Sequence, residues 1–141
     1  MRPGWDYLIV TAANEEQAKA YREQLGIRRN LGLISGVREI LVVPDPEGLR
    51  IGSGGSTILC LLEVISRELR GRGKKLASPA AWQEALARVR VLIVHAGGDA
   101  RRLPAYSTCG KIFIPVPGES DSALGLTLLD RQLPRYLSLP A

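Results

Sequence analysis

The feature that most constrains this chain is a short apolar run, Val91-Leu92-Ile93-Val94, that empties directly into His95-Ala96-Gly97-Gly98. A block in which every position is β-branched or leucine fits a parallel strand buried on both faces, since a strand with one wet face would alternate. Two glycines at the strand's carboxyl end let the backbone turn sharply. They also bring amide N–H groups close to an anion with no Cβ in the way. The chain continues as Asp99-Ala100-Arg101-Arg102-Leu103-Pro104, and after an intervening loop Lys111 heads a second apolar stretch, Ile112-Phe113-Ile114-Pro115-Val116. A glycine loop, an arginine and a lysine at the tip of a buried strand make a seat for phosphates. The strand at 91–94 is expected to form the middle of the sheet.

The rest of the chain alternates strand and helix. Tyr7–Val10 reads as the first strand, and Asn14 as the N-cap of a helix with Glu15 and Glu16 on its dipole and Gln17 at the capping-box position. Ala18, Tyr21 and Leu25 form a stripe that would pack on a sheet, and Gly26 or Gly32 ends the helix. Ile40–Val43 is a second strand, stopped by the turn-rich Pro44-Asp45-Pro46-Glu47-Gly48. A second helix opens on Gly52-Ser53-Gly54-Gly55-Ser56-Thr57, with Ile58, Leu61, Leu62, Ile65 and Leu69 as its expected buried side. A polar loop over 70–78 leads to a short helix capped by Ser78 with Pro79 in its first turn. A last helix is expected over Leu124–Leu133, broken at Pro134. Alternation at this period predicts an α/β protein with a parallel, right-handed sheet covered by helices, in one domain over residues 1–141.

Composition narrows the partners. At 141 residues with 45% hydrophobic content and one Phe, the chain is an aliphatic α/β protein able to bury a core. A net charge of +5 calls for anionic ligands. The basic residues are scattered, or gathered in one Arg-Gly-Arg-Gly-Lys-Lys loop at 70–75 with few aromatics between them, so a phosphorylated small molecule is expected and nucleic acid is not. Cys60 and Cys109 lie far apart in segments of intracellular character, and no disulfide is expected. No apolar run approaches the ~20 residues of a membrane helix. The N-terminus lacks a signal-peptide pattern, which leaves the cytoplasm as the expected compartment.

The stretch HAGGDARRLPAYSTCGKIFIPVP resembles the signature of sugar nucleotidyltransferases, roughly Ala-Gly-Gly-x-Gly-Thr-Arg-Leu followed by a lysine and an apolar segment ending in proline. More specifically, it is similar to the fucose-1-phosphate guanylyltransferase (GDP-fucose pyrophosphorylase) family, which includes bifunctional enzymes with a fucokinase domain. WDYLIVTAANEEQAKAY and VPDPEGLRIGSGGST resemble the same family in the same order, so the likeness covers most of residues 5–117. Ala100-Arg101 stands where the general signature has Gly-Thr, and the step from arginine to lysine is about one residue shorter.

The resemblance implies a Rossmann-like nucleotide-diphospho-sugar transferase fold. It also implies GTP and a sugar-1-phosphate, L-fucose-1-phosphate or a relative, as partners. The reaction would be in-line attack of the sugar phosphate on the α-phosphorus of GTP with release of pyrophosphate, catalysed by positioning and charge neutralisation. Arg102 would clamp the β- and γ-phosphates, Lys111 would sit near the α-phosphate, and the N–H groups of Gly97, Gly98, Asp99, Ala100 and Arg101 would line the rest. In the second glycine loop, Gly52 to Thr57 would contact the guanine or ribose. A tight turn ahead of an N-cap explains that loop too, and it is neither a Walker A loop nor a dinucleotide fingerprint.

The family implies Mg²⁺, for which this chain shows no ligand. The Gly-Asp that would bind it and the later strands of the sugar pocket are absent here. The chain is therefore expected to be the nucleotide-binding half of such an enzyme, with a missing C-terminal half or self-association covering its apolar edges. A non-catalytic purine-nucleotide-binding module and a part of a bifunctional fucokinase/pyrophosphorylase are the alternatives. Residues 118–141 read as a loop, a helix and a tail. His95 and Cys109 are read as structural, Asp99 as a loop hydrogen-bonder, Asp6 and Asp45 as turn or strand-start residues, and Tyr106 as a base-stacking or loop-covering side chain.

Overall fold

A computed structural model describes residues 4–71, 78–98, 110–118 and 126–139. Strand β1 (Trp5–Ala12) leads to helix α1 (Glu15–Asn30), strand β2 (Val37–Pro44), a one-turn 3₁₀ segment (Pro46–Gly48) and helix α2 (Gly52–Arg70). Helix α3 (Pro79–Leu86), strand β3 (Val91–Val94), a second 3₁₀ turn (Lys111–Phe113) and helix α4 (Leu128–Leu137) complete the described elements. Among the described residues no helix is long and apolar enough to cross a membrane.

The three strands are parallel in the order β2-β1-β3, with Leu8 beside Ile40 and Leu92, and Val10 beside Val42 and Val94. Successive side chains of a strand point to opposite faces, so β1 divides its apolar residues between two layers. Leu8, Val10 and Ala12 pack with Ala18, Tyr21 and Leu25 of α1 and Leu129 and Leu133 of α4. Tyr7 and Ile9 pack with Cys60 and Val64 of α2. The result is a helix–sheet–helix sandwich, an α/β architecture of Rossmann-like type.

Three expectations are corrected. β1, not β3, is the middle strand; β3 lies at the edge among the described residues and is half-buried throughout. Helices on both faces make an edge strand as uniformly apolar as a central one, so the run at 91–94 could not reveal its place. In α2 the buried face is Ser56, Cys60, Val64, Ile65 and Leu69, while Ile58 is 62% and Leu62 38% exposed. Small side chains at 56 and 60 let the helix lie close to the sheet, which turns Ile58 and Leu62 outward. Finally, α4 begins at Leu128 rather than before it and runs through Pro134. Thr127 and Asp130 form a reciprocal capping box that fixes the start. Pro134 is exposed on the outer side, where a lost amide costs least.

Local capping elsewhere follows the sequence. Asn14 accepts from the Gln17 amide (2.8 Å), although the Gln17 side chain reaches Ala13 N–H rather than the cap residue's own. α1 runs through Gly26 and stops ahead of Gly32, whose φ of +74° suits glycine. Ser78 caps α3 with Pro79 in its first turn. Asp6 starts β1 and accepts from the Arg90 amide.

Candidate functional site

The carboxyl ends of the three strands are tied together by a few polar contacts. At the end of β1, Thr11 Oγ1 accepts from the amides of Ala96 (3.0 Å) and Gly97 (3.3 Å), fixing the exit of β3. The Asp45 amide donates to Ala12 O (2.8 Å), fixing the exit of β2. Gly97 lies so close to β1 that a Cβ there would stand 2.9 Å from the Ala12 carbonyl carbon and 3.1 Å from its oxygen. That approach admits only glycine.

Above these ends lies a cleft of about 280 Å³. Gly97, Gly98 and Lys111 line it on one side; Gly52, Ser53 and Ser56 of α2 line it on the other. A Cβ on Gly98 would meet Lys111 Nζ at 2.8 Å, so the ammonium crosses directly over that glycine. Both glycine loops and the lysine thus converge on one volume. Arg102, Asp99, Ala100 and Arg101, with Tyr106 and Cys109, lie outside the described residues. Gly54 is exposed, and Gly55 packs against Ile51, where a Cβ would meet the isoleucine at 2.9 Å.

Lys111 is held from below by a buried network. Its 3₁₀ turn starts after Gly110, whose φ is +71° and whose missing Cβ would collide with the Tyr21 hydroxyl. Tyr21 donates to Ala96 O (3.3 Å), and its ring meets Phe113 edge-on with centroids 5.2 Å apart. Burial pushes the Tyr21 phenol up to about 12, so it stays a neutral donor. Phe113 also carries the Arg28 guanidinium 4.8 Å from its ring centroid. Arg28, 2% exposed, is bidentate to Asp130 at 2.6 and 3.0 Å. Burial pushes the Asp130 carboxyl up, but hydrogen bonds from Arg28 and Thr127 outweigh it and hold the group below its usual range.

The α2 side is built differently. The helix has no side-chain N-cap and no acid in its first turn. Its leading N–H groups and the positive end of its dipole are therefore left for a ligand or solvent. Thr57 spends its one hydroxyl proton on Ser53 O (2.8 Å). Thr57 Oγ1 also lies 3.1 Å from His95 Nε2, so the hydroxyl links the start of α2 to the end of β3. His95, read as structural, contacts Thr57 and also lines the cleft, as does Arg50.

Asp45 is buried and also lines the cleft, accepting from Ser56 Oγ (2.8 Å). It makes no side-chain cap to the turn that follows, so it is more than the turn residue expected. The signal for Asp45 and His95 was their place just past apolar strands, where α/β sheets bind ligands.

Among the described residues no cluster of three His, Cys, Asp or Glu side chains could hold a metal ion. The described wall offers Asp45 as a carboxylate and does not amount to a Mg²⁺ site. Cys60 is buried, with its thiol pushed up to about 11 by that burial, and has the character of a core residue. A larger groove of about 910 Å³ runs along β2, but it contains neither glycine loop, and Arg67 on its wall is already paired with Glu39 and Glu63.

Fold and site together define a Rossmann-like α/β domain with a glycine-lined cleft over the strand ends. Residues 83–139 match the fucose pyrophosphorylase domain. The chain is 36% identical over 121 residues to a bifunctional fucokinase/GDP-fucose pyrophosphorylase from Arabidopsis thaliana, covering 82% of this chain and 12% of that protein. It is 36% identical over 139 residues to a fucose-1-phosphate guanylyltransferase from Mus musculus, covering 97% and 20%. It is 40% identical over 95 residues to an L-fucokinase/L-fucose-1-P guanylyltransferase from Bacteroides fragilis, covering 65% and 9%. No solved structure matches. The chain belongs to the fucose-1-phosphate guanylyltransferase and fucokinase/GDP-fucose pyrophosphorylase family, and spans between 9% and 20% of the length of these three relatives.

Proposed function

We propose that the chain is the nucleotide-binding part of a sugar-1-phosphate guanylyltransferase that transfers GMP from GTP to L-fucose-1-phosphate and releases pyrophosphate. The observation that carries this reading is the convergence of Gly97, Gly98, the uncapped start of α2 and Lys111 on one cleft at the ends of parallel strands. The Gly98 amide, a helix dipole and an ammonium are each suited to phosphate oxygens, while the Gly97 amide is held by Thr11. Lys111 neutralises charge at the transferred phosphoryl group, the Gly98 amide orients it, Gly97 lets the backbone approach, and Arg102 is assigned to the outer phosphates. The sugar phosphate attacks in line, and no bond to the protein forms.

The test is calorimetric titration of the chain with GTP, ATP and UTP. Guanine nucleotides should bind most tightly, and Lys111→Ala should weaken GTP binding by roughly 1.5–3 kcal/mol, the worth of a charged hydrogen bond. Equal binding of GTP to parent and variant removes the phosphate seat. Binding without GTP–pyrophosphate exchange, in a chain extended to the length of its relatives, would assign a non-catalytic nucleotide-holding role instead.

A further inference from the structure

One part of the cleft is unsuited to phosphate. Asp45 is only 9% exposed, yet it opens onto the same volume as Lys111. A carboxylate accepts hydrogen bonds or pairs with a cation such as Arg50 on the same wall, and disfavours phosphate oxygens, so a nucleotide would meet it through donor groups. The common use of an aspartate at this place, capping the next turn, does not apply here. Ser56 instead donates to Oδ1 and pins the carboxylate against the first turns of α2.

The two ends of the cleft are set by the sheet. Asp45 follows β2, and Gly98, under the Lys111 ammonium, follows β3, with β1 between them. Neighbouring strands are ~4.8 Å apart, which separates the acidic and cationic ends by roughly 10 Å. A ligand anionic at one end and hydrogen-bond-donating at the other matches that polarity. Building on the nucleotide reading above, we infer that Asp45 receives the donor groups of the nucleoside, either the N–H edge of guanine or the ribose hydroxyls. It thereby acts as a specificity-determining residue of the cleft. Ser56 is its positioning residue.

The experiment titrates parent, Asp45→Asn and Ser56→Ala with GTP, with ITP, which lacks the 2-amino group, and with 2′-deoxy-GTP. Asparagine keeps an acceptor for Ser56 but offers the ligand an amide donor where the carboxylate stood. GTP should bind Asp45→Asn roughly 10- to 100-fold more weakly than the parent, the range for losing a charged hydrogen bond. If the carboxylate meets the guanine edge, the parent's preference for GTP over ITP collapses in the variant. If it meets the ribose, the preference for GTP over 2′-deoxy-GTP collapses instead.

Ser56→Ala, which keeps the charge and loses the tether, should show the same pattern several-fold weaker. It decides the matter should Asp45→Asn fail to fold by circular dichroism. A folded variant that binds all three nucleotides like the parent overturns the inference while leaving the phosphate seat intact. A parent that binds none of them overturns the nucleotide reading, and this inference with it.

Discussion

The two walls of the cleft are built on opposite terms. Behind Lys111, the polar side chains among the described residues are paired: Asn14 caps α1, Thr127 and Asp130 cap each other, and Arg28 is bonded to Asp130, Gln24 and Thr127. Across the cleft, α2 starts on a glycine with φ +70°, lacks a side-chain cap, and has no acid in its own first turn, although Asp45 of the preceding loop meets it through Ser56. A helix start without a cap leaves its N–H groups to solvent or to a ligand, and under the proposed function the ligand is the nucleotide. One wall is tied together by side chains; the other carries fewer such ties.

The contrast can be broken most forcefully at Arg28. Arg28→Ala strands Asp130 in the interior and releases Phe113, and urea unfolding should record a loss of about 3–5 kcal/mol, as for other broken buried pairs. A loss below about 1 kcal/mol would show that this wall is not held by its ion pair. A smaller effect is expected at the start of α1, where Asn14→Ala removes one cap at a cost of about 1 kcal/mol. GTP affinity should stay unchanged, because Asn14 does not line the cleft.

The smallest and sharpest test adds what α2 lacks. Ser53→Asp puts an acid on the helix dipole and should stabilise the free chain by about 0.3–1 kcal/mol. The same change should reduce GTP binding more than tenfold by adding a negative charge to the cleft that a triphosphate must enter. Stabilisation with undiminished binding would mean that the helix start is merely unfinished.

How far the sequence revealed this arrangement depended on the kind of signal. Local chemistry was legible: Asn14, Ser78 and Pro79 announce helix starts, and Ala18, Tyr21 and Leu25 are buried as their spacing implies. Arrangement between elements was not. Val91–Val94 shows burial but not position in the sheet, and Ser56 and Cys60 look too small or polar to mark a buried face that Ile58 and Leu62 seemed to own. The Thr127–Asp130 capping box was overlooked in the sequence, where the apolar residues ahead of it drew the boundary too early. Arg28 was one of 19 basic residues, and nothing local distinguishes the one that is buried against a partner 102 positions away. At the cleft, the meeting of Gly97, Gly98 and Lys111 was foreshadowed by their place at and after one strand end. Asp45 and His95 needed the strand ends to be brought side by side.

Tyr21 and Gly110 carry a consequence beyond this chain. The phenol of one occupies the space that a side chain on the other would need, so the two positions behave as a lock and its bolt. Position 110 is thus closed twice, by its backbone angle of +71° and by the Tyr21 hydroxyl that fills the space a Cβ would need. Shortening Tyr21 would lift the second restriction and leave the first, so glycine at 110 should persist among homologues even where position 21 has shrunk.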